Sequence, residues 1–297
     1  MSNEKNWTKI EVNSVKENRE KLDIKTPIII AGLPGKVATL VAEAIEGSEN
    51  YLLFDIALSS SQHEGRCNLD NINLLSTSNS SLIENLYNIK RIHPSVIIID
   101  YTSPNAVNSN AELYTKIGIP FVMGTTGGDR QKLFETVKNS EISAVIDTNM
   151  APHIVIMQSI LEQASKEFPG SLPGWKLSVV ESHQAGKKDV SGTARSWLPK
   201  LKALGANLIG EIESIRDPKK QTDLGIQNTD GHGYHWFTLT SPDEKASFQI
   251  FTSVEGRAPY ITGTLMAIDF LKEKIKDQQK GEVYSMTDVL KSQKTDR

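Results

Sequence analysis

Close to its N-terminus the chain reads Pro27-Ile28-Ile29-Ile30-Ala31-Gly32-Leu33-Pro34-Gly35-Lys36-Val37-Ala38. The apolar run at the start is typical of a buried parallel strand, and the apolar residues that continue from Val37 have helical spacing. A strand, a glycine turn and a helix form the context of a dinucleotide-binding fingerprint. In it Gly32 allows the tight turn, Gly35 the close approach of a pyrophosphate, and Ala38 close helix packing. The spacing is G-x-x-G-x-x-A rather than G-x-G-x-x-G, so these glycines are weak evidence by themselves.

The alternation of strands and helices continues downstream. Further strands are predicted at 51–58, 95–100, 119–123 and 142–147, and helices at 82–89, 106–117 and 130–137. This order favours a Rossmann-like, doubly wound parallel sheet of the α/β class. Ligands bind such sheets at the carboxyl ends of the strands. Small and hydroxyl-bearing residues stand at those ends here, although each loop alone is equally compatible with an ordinary polar turn.

The pattern changes after Asn149-Met150-Ala151-Pro152, which we interpret as a hinge. An apolar helix face follows, and residues 233–240 and 246–252 alternate like antiparallel strands. The sequence therefore predicts a second, α+β domain with a mixed or antiparallel sheet. The predicted boundaries are a polar N-terminal extension at 1–26, a dinucleotide-binding domain at 27–149 and 258–297, and a substrate-binding and oligomerisation domain at 150–257.

The segment from Val179 to Ala194 combines several chemistries in one turn. A strand at 175–180 would deliver Glu181 and His183 to its end. A hydroxyl of Ser191-Gly192-Thr193 would cap a helix over 194–201, although Pro199 must kink this helix or shift its start. A helix start beside Lys187 and Lys188 predicts a binding site for a carboxylate or a phosphate. His183 is the obvious proton carrier at neutral pH. An ordinary solvated turn explains this segment alone equally well.

Composition limits the remaining possibilities. A chain of 297 residues is long enough for two domains, and a net charge of −3 with mixed signs indicates no nucleic-acid partner. No apolar run approaches the roughly 20 residues that span a membrane. The single cysteine, Cys67, excludes internal disulfides, and the polar, acid-containing residues 1–25 resemble neither a secretory nor a transit peptide, so we expect a cytoplasmic protein. His232 and His235 would face opposite sides of a strand, so we expect no metal.

Several motifs in one order resemble the dihydrodipicolinate reductase family, also called 4-hydroxy-tetrahydrodipicolinate reductase, over roughly 27–290. They are Gly32 to Ala38, Gly124-Thr125-Thr126-Gly127, Glu181-Ser182-His183 through Lys187, Ser191-Gly192-Thr193-Ala194 and Gly256-Arg257-Ala258-Pro259-Tyr260. The resemblance implies reduction of 4-hydroxy-tetrahydrodipicolinate, a cyclic dicarboxylate of the diaminopimelate and lysine pathway, by NADPH or NADH. It also implies a homotetramer assembled through the second domain.

The resemblance assigns roles to residues of this chain. His183 takes the position of the proton donor and Lys187 that of the cation that binds substrate. The implied substrate contacts are Thr126, Ser191, Gly192 and Thr193. The implied cofactor contacts are Gly32, Pro34, Gly35, Lys36, Ser59, Gly124 and Thr125. A separate argument concerns the choice of nucleotide. Residues 58–61 provide hydroxyl groups where an NAD-specific site has a carboxylate, so we expect NADPH to be used at least as well as NADH. The exception is a shift of the strand that brings Asp55 close to the ribose.

The loop departs from the common bacterial pattern. Gln184 stands where a second histidine is usual, Ala185 and Gly186 replace bulkier basic residues, and the proline before Ser191 is missing. Together with 231–235 these features resemble the plant-type branch and leave His183 and Lys187 in place. Two other functions stay open: another two-domain nicotinamide dehydrogenase, such as a homoserine or aspartate dehydrogenase, and a non-enzymatic NADP(H) sensor.

Overall fold

The computed structural model describes residues 25–63, 65–66, 69, 72–76 and 80–293. The expectations for residues 1–24 and for Cys67 therefore lie outside the described residues. The chain forms two compact units. The first contains the described residues up to Ile146 together with Ile268–Val283, and the second contains Asp147–Ala267 together with the described residues from Tyr284 onward.

This division differs from the expected one near the C-terminus, because 258–267 and the residues after 283 belong to the second unit. Two contacts give the reason. Gly263 lies so close to the carbonyl oxygen of Met150 that a Cβ would overlap it. The backbone N–H of Met286 donates to a carboxylate oxygen of Asp147 at 3.0 Å.

The regular elements are numbered here in chain order. The strands are β1 Thr26–Ala31, β2 Tyr51–Ser59, β3 Gly65–Arg66, β4 Asn73–Ser76, β5 Ile97–Asp100, β6 Phe121–Met123, β7 Ala144–Ile146, β8 Lys176–His183, β9 Asn207–Leu208, β10 Glu213–Ile215, β11 His232–Thr240, β12 Ser247–Glu255 and β13 Val283–Tyr284. The helices are α1 Lys36–Glu46, α2 Ser80–Ile92, α3 Val107–Ile117, α4 Arg130–Lys138, α5 Pro152–Glu167, α6 Gly192–Ala203, α7 Pro218–Asp223, α8 Ala258–Lys276 and α9 Met286–Ser292.

The first unit contains a sheet in the order β13-β7-β6-β5-β1-β2-β4-β3. Its central pairs, from β7 across to β4, are parallel, and β3 pairs antiparallel with β4. The strand order reverses beside β1, since β2 lies on one side and β5 on the other. This arrangement confirms the predicted Rossmann-like, doubly wound sheet and places the carboxyl ends of β1 and β5 at the switch point.

The central strands of this sheet are apolar on both faces because helices cover both. Ile28, Ile29 and Ile30 are at most 1% exposed. Ile29 packs in one core cluster with Ile98 and Phe121, and complete burial of such a side chain stabilises the fold by roughly 1.5–3 kcal/mol. The core therefore fixes the strands whose ends carry the candidate cofactor loops.

The second unit contains a mixed sheet in the order β10-β8-β11-β12, with β9 also paired to β8. The predicted hairpin is confirmed as β11 and β12, which pair antiparallel along their whole length. Strand β8 continues to His183 rather than ending at Val180, because Glu181 pairs with His235 and His183 with Gly233 on β11. The expectation that Glu181 and His183 follow the strand was wrong, since both lie within it.

Helix α6 begins at Gly192, two residues before the predicted start, and continues past Pro199 to Ala203. The predicted hydroxyl cap is provided by Ser191. Pro199 therefore does not set the start of the helix. Proline provides no N–H for the carbonyl of Arg195, and the exposure of both residues lets water hydrate that carbonyl. No helix in the described part of the chain is long and apolar enough to cross a membrane.

Candidate active site

The first unit has an open cavity of about 490 Å³ at the carboxyl ends of β1, β2 and β5. The glycine turn forms one wall, and residues that follow β2 and β5 form the others. Four predicted cofactor residues line this cavity: Gly32, Pro34, Gly35 and Ser59. Three others do not line it: Lys36, Gly124 and Thr125. We refer to this cavity as the cofactor cleft.

The glycine turn has the shape that a dinucleotide fingerprint requires. Gly32 has φ +111°, and a Cβ there would overlap the carbonyl oxygen of Tyr101. Gly35 is the N-cap of α1 and provides no side-chain hydrogen bond, so the first N–H groups of this helix have no side-chain cap. Uncapped N–H groups at a helix start bind anions. The turn therefore fits a pyrophosphate, with Lys36 exposed as the first residue of the helix.

A buried carboxylate, Asp100, connects two loops near the cleft. It accepts hydrogen bonds from the N–H of Thr102 (3.0 Å), the amide of Asn110 (2.9 Å) and the hydroxyls of Tyr114 (2.8 Å) and Thr125 (2.7 Å). Burial and the nearby carboxylate raise the pKa of Tyr114. The hydroxyl of Thr125 thus faces Asp100 rather than the cleft. Asp100 was not predicted as a site residue, although an acidic residue at the end of an apolar strand is a usable signal of one.

Gly124 and Thr126 lie at the end of β6. A Cβ on Gly124 would overlap the ring of Tyr101, so glycine is required for this loop to pass the ring. Thr126 is exposed and belongs to the first unit, whereas Ser191, Gly192 and Thr193 belong to the second. A role of Thr126 at the substrate stays a prediction.

In the second unit one face of the sheet carries both core and candidate catalytic residues. Leu177 and Val179 on β8 point into the apolar core, and two further alternate positions on the same strand place Glu181 and His183 on the same face. Gly233 lies opposite His183, and a Cβ at Gly233 would come within 3.2 Å of His183 Nε2. The absent side chain leaves room for the imidazole.

Glu181 holds His183 from one side. Its Oε2 lies 2.5 Å from His183 Nδ1, and its Oε1 accepts from Ser214 Oγ and Arg216 Nη2, both at 2.6 Å. Burial opposes the charge of Glu181, but the hydrogen bonds from His183, Ser214 and Arg216 outweigh it and lower its pKa to about 2. A carboxylate facing Nδ1 places a proton on that atom and leaves Nε2 for chemistry.

The loop after β8 carries Lys187. The N–H of Lys187 donates to the carbonyl of Gln184 (3.0 Å), which forms a turn. The ammonium group pairs with no side chain in the described ranges. Burial, and then the positive charges of His183, Arg216 and Lys187, lower the pKa of His235 to about 3 against the opposing effect of Glu181. His235 is therefore neutral and adds no positive charge beside Lys187. The role of Lys187 as the cation that binds substrate stays a prediction.

The start of α6 adjoins this cluster. Ser191 is buried, its Oγ lies 2.7 Å from His235 Nε2, and it accepts the N–H of Thr193 at 3.2 Å. The Ser191 hydroxyl is thus already used as a cap, while Gly192 is exposed. The structure brings these residues close to His235, and their contact with a carboxylate stays a prediction.

Among the described residues, Glu181, His183 and His235 are the one group whose ligand atoms are close enough for a metal, within 4.8 Å of one another. Glu181 Oε2 lies 2.5 Å from His183 Nδ1, and His235 Nε2 lies 2.7 Å from Ser191 Oγ. His232 lies on the opposite face, next to Ser182 at 2.9 Å, as strand geometry predicts. The absence of a metal stays a prediction.

The comparisons with known proteins agree with this geometry. Residues 26–150 match the family model described as "Dihydrodipicolinate reductase, N-terminus", and residues 153–290 match "Dihydrodipicolinate reductase, C-terminus". The chain belongs to the dihydrodipicolinate reductase family. The resemblance noted from the sequence motifs is thereby confirmed.

Named relatives and a solved structure extend the family match. "4-Hydroxy-tetrahydrodipicolinate reductase 1, chloroplastic" from Arabidopsis thaliana is 46% identical over 203 residues, which cover 67% of this chain and 58% of the relative. "Probable 4-hydroxy-tetrahydrodipicolinate reductase 1, chloroplastic" from Oryza sativa subsp. japonica is 39% identical and covers 89% of this chain and 78% of the relative. The match thus spans somewhat more than half of the Arabidopsis protein. These relatives support the plant-type resemblance.

The structure of "Dipicolinate bound Dihydrodipicolinate reductase" from Paenisporosarcina sp. TG-14 has a TM-score of 0.60. It is 17% identical in sequence, and the match covers 88% of this chain and 97% of that chain. This similarity supports the fold.

Several residues that complete the site were given no role in it from the sequence. Glu181 was named beside His183, and its role carried a usable signal, because two residues that are two positions apart on a strand face the same side. Ser214, Arg216 and His235 lie far along the chain from Glu181. No sequence spacing links Ser214 and Arg216 to the motif.

Proposed function

We propose that this chain reduces 4-hydroxy-tetrahydrodipicolinate to tetrahydrodipicolinate with NADPH or NADH. The observation that carries the proposal is the contact of buried Glu181 with partly exposed His183, four residues before a Lys187 ammonium group that no described side chain pairs with, in a chain of this family. A homoserine or aspartate dehydrogenase would need different groups around its substrate. A nucleotide sensor would need neither a proton donor nor a seat for a dicarboxylate.

When bound, the nicotinamide would supply a hydride to a ring carbon of the substrate after the 4-hydroxyl group has left as water, so that the substrate, a hydride and a proton together give tetrahydrodipicolinate and water. Negative charge then develops on the substrate, and His183 donates a proton to it from Nε2. Glu181 keeps the imidazole oriented through Nδ1 and balances its positive charge. Lys187 and the exposed N-terminus of α6 at Gly192 bind the substrate carboxylates. We also assign Thr126, which follows β6, to substrate binding.

The cofactor cleft supports use of NADPH at least as readily as NADH. The hydroxyl of Ser59 donates to the carbonyl of Leu33 at 2.5 Å, so it braces the glycine turn. Ser60 and His63 also line the cleft and offer uncharged or cationic donors to a 2′-phosphate. Asp55 lines a different cavity and stands in β2, away from this one. The sequence analysis missed His63 at this position.

We also propose that the chain forms a homotetramer through the second unit. The sheet face opposite His183 carries an aromatic cluster of Tyr234, Trp236 and Phe251, whose ring centroids are 5.4 to 5.7 Å apart. Phe251 is 50% exposed. Exposed aromatic residues on a regular sheet face favour association with another copy. The cytoplasmic location stays a prediction, because the plant relatives carry the word chloroplastic in their names.

A coupled assay tests the activity. The substrate is generated in place from pyruvate and aspartate semialdehyde by the condensing enzyme, and oxidation of NADPH is followed by absorbance. Omission of pyruvate is the matched control, and homoserine and aspartate with NADP⁺ test the rival dehydrogenases. A pyruvate-dependent rate supports the proposal. Reduction of NADP⁺ by homoserine or aspartate, with no pyruvate-dependent oxidation of NADPH, would overturn it.

The same assay compares the two nucleotides. We expect kcat/KM for NADPH to equal or exceed that for NADH. A preference for NADH of about tenfold, which corresponds to about 1.4 kcal/mol, would contradict the interpretation of residues 58–63.

A further inference from the structure

The guanidinium group of Arg216 uses all three of its nitrogen atoms within the protein. Nε donates to the carbonyl of Lys187 at 2.9 Å, and Nη2 donates to Glu181 Oε1 at 2.6 Å and to the carbonyl of Asp189 at 3.3 Å. Nη1 donates to the carbonyl of Ile215 at 3.0 Å. The side chain is 20% exposed. One side chain thus contacts the strand that carries His183 and the loop that carries Lys187.

The loop itself has little internal support. Between the end of β8 and Ser191 it includes Ala185 and Gly186, which contribute no polar side chain. Its backbone hydrogen bond within the described structure joins Lys187 N–H to Gln184. The bonds from Arg216 to the carbonyls of Lys187 and Asp189 therefore provide most of the fixed contacts of this loop. Glycine and a missing proline both increase the freedom of an unrestrained loop.

We infer that Arg216 is a positioning residue that sets the distance between the proton donor His183 and the substrate-binding cation Lys187. It acts through Glu181 on one side and through the backbone of the loop on the other. This inference rests on the proposed function for the roles of His183 and Lys187. Arg216 itself is not assigned a contact with substrate or cofactor.

The geometry requires arginine at this position. A guanidinium group is planar and directs several N–H groups along fixed directions, whereas an ammonium group is a single flexible point charge. Lysine at 216 keeps the positive charge beside Glu181 but cannot reach both that carboxylate and the two loop carbonyls. Ser214 still donates to Glu181 in such a variant, at 2.6 Å in the native structure. Arg216→Lys therefore separates loop positioning from charge balance.

The test compares Arg216→Lys and Arg216→Met with Lys219→Met, an exposed cation on α7 that serves as the matched control. We expect Arg216→Lys to lower kcat/KM by about ten- to hundredfold, the range for loss of charge-assisted hydrogen bonds, chiefly through KM. Arg216→Met should lower kcat as well. The control should retain both constants, and all variants should bind NADPH with unchanged affinity.

A double-mutant cycle distinguishes positioning from a general loss of structure. In a Lys187→Met background the loop no longer presents a cation, so Arg216→Lys should raise KM by less than threefold. If the effects of Lys187→Met and Arg216→Lys are instead additive, the inference is wrong. If Arg216→Met does not fold, the Arg216→Lys cycle still decides the outcome.

Hydrogen exchange provides a readout that does not depend on activity. Amides of residues 184–190 should exchange at least tenfold faster in Arg216→Lys than in the wild type, while those of β11 remain unchanged. If the loop exchanges faster in Arg216→Lys but the wild type is inactive with the proposed substrate, the proposed function is overturned, whereas the role of Arg216 in positioning the loop is supported. Unchanged exchange would overturn the inference even in an active enzyme.

Discussion

Replacement of Glu181 by glutamine removes one charge from the centre of the site and keeps the side-chain volume. Glu181 is fully buried, and its pKa lies at about 2 instead of 4.5. Because the folded-state pKa is below the ordinary value, the ionised carboxylate stabilises the fold above pH 4.5, and this contribution is lost as the pH falls towards 2. The shift corresponds to roughly 3 kcal/mol at neutral pH.

The same substitution changes the contact with His183. Glutamine can still accept from Ser214 and Arg216 through its oxygen, but its NH₂ group then faces His183 Nδ1 and requires that atom to accept. The charged imidazole loses its counter-charge. Replacing a charge-assisted bond of roughly 1.5–3 kcal/mol by a neutral one of about 1 kcal/mol costs about 0.5–2 kcal/mol, or about two- to thirtyfold in kcat.

Two measurements check this prediction. Initial rates in the coupled assay give kcat, and urea unfolding from neutral pH to about pH 3 gives stability. The difference in unfolding free energy between wild type and Glu181→Gln should narrow as the solution becomes more acidic. The control is Glu244→Gln, an exposed carboxylate paired with Lys176, which should change neither quantity appreciably. A Glu181→Gln enzyme with wild-type kcat and an unchanged acid-unfolding profile would refute the reasoning.

Three further predictions follow from the two units. His183→Ala should lower kcat by roughly 10²–10⁴-fold, the range for a positioned general acid, whereas Lys187→Ala should mainly raise KM. Steady-state kinetics measure both constants, and two variants with the same changes in kcat and KM would contradict the division of roles. Asp100→Ala leaves the hydroxyl of Thr125 and its neighbours without their acceptor, so the unfolding free energy should fall by about 3 kcal/mol or more and NADPH titration should show weaker binding. Phe251→Asp should reduce the assembled mass measured by light scattering, and a wild-type protein that is already monomeric would exclude the proposed interface.

The local parts of the fold were predictable because hydrophobic spacing is a local signal. The strand, glycine turn and helix at Gly32 and Gly35 follow from a short stretch of sequence, and so does the hairpin of β11 and β12. The extent of β8 was not predictable in this way, since Glu181 and His183 are polar and are held in the strand by partners on β11. The short strands β9 and β10 have only two and three residues. Their pairing with β8 stabilises them, and no periodicity develops over that length.

The residues of the candidate site were likewise predictable only where they lie close together in the sequence. His183 and Lys187 stand four positions apart in one motif, so the motif alone located them. Arg216 is 35 residues from the Glu181 that it contacts, and Asp100 is 25 residues from Thr125. Such contacts depend on how the chain folds back on itself. The spacing of residues in one sequence does not contain that information.

The way in which Arg216 contacts the loop has a consequence for divergence within the family. Its loop contacts are the carbonyl oxygens of Lys187 and Asp189, and every amino acid supplies a carbonyl oxygen at those positions. The hydrogen bonds from Arg216 to the loop therefore do not depend on the side chains of Gln184, Ala185 and Gly186. If the proposed roles hold, substitutions there can change how Lys187 meets the substrate while His183, held within a hydrogen-bonded strand, stays in place. Recognition and proton transfer can thus evolve, or be engineered, at separate rates.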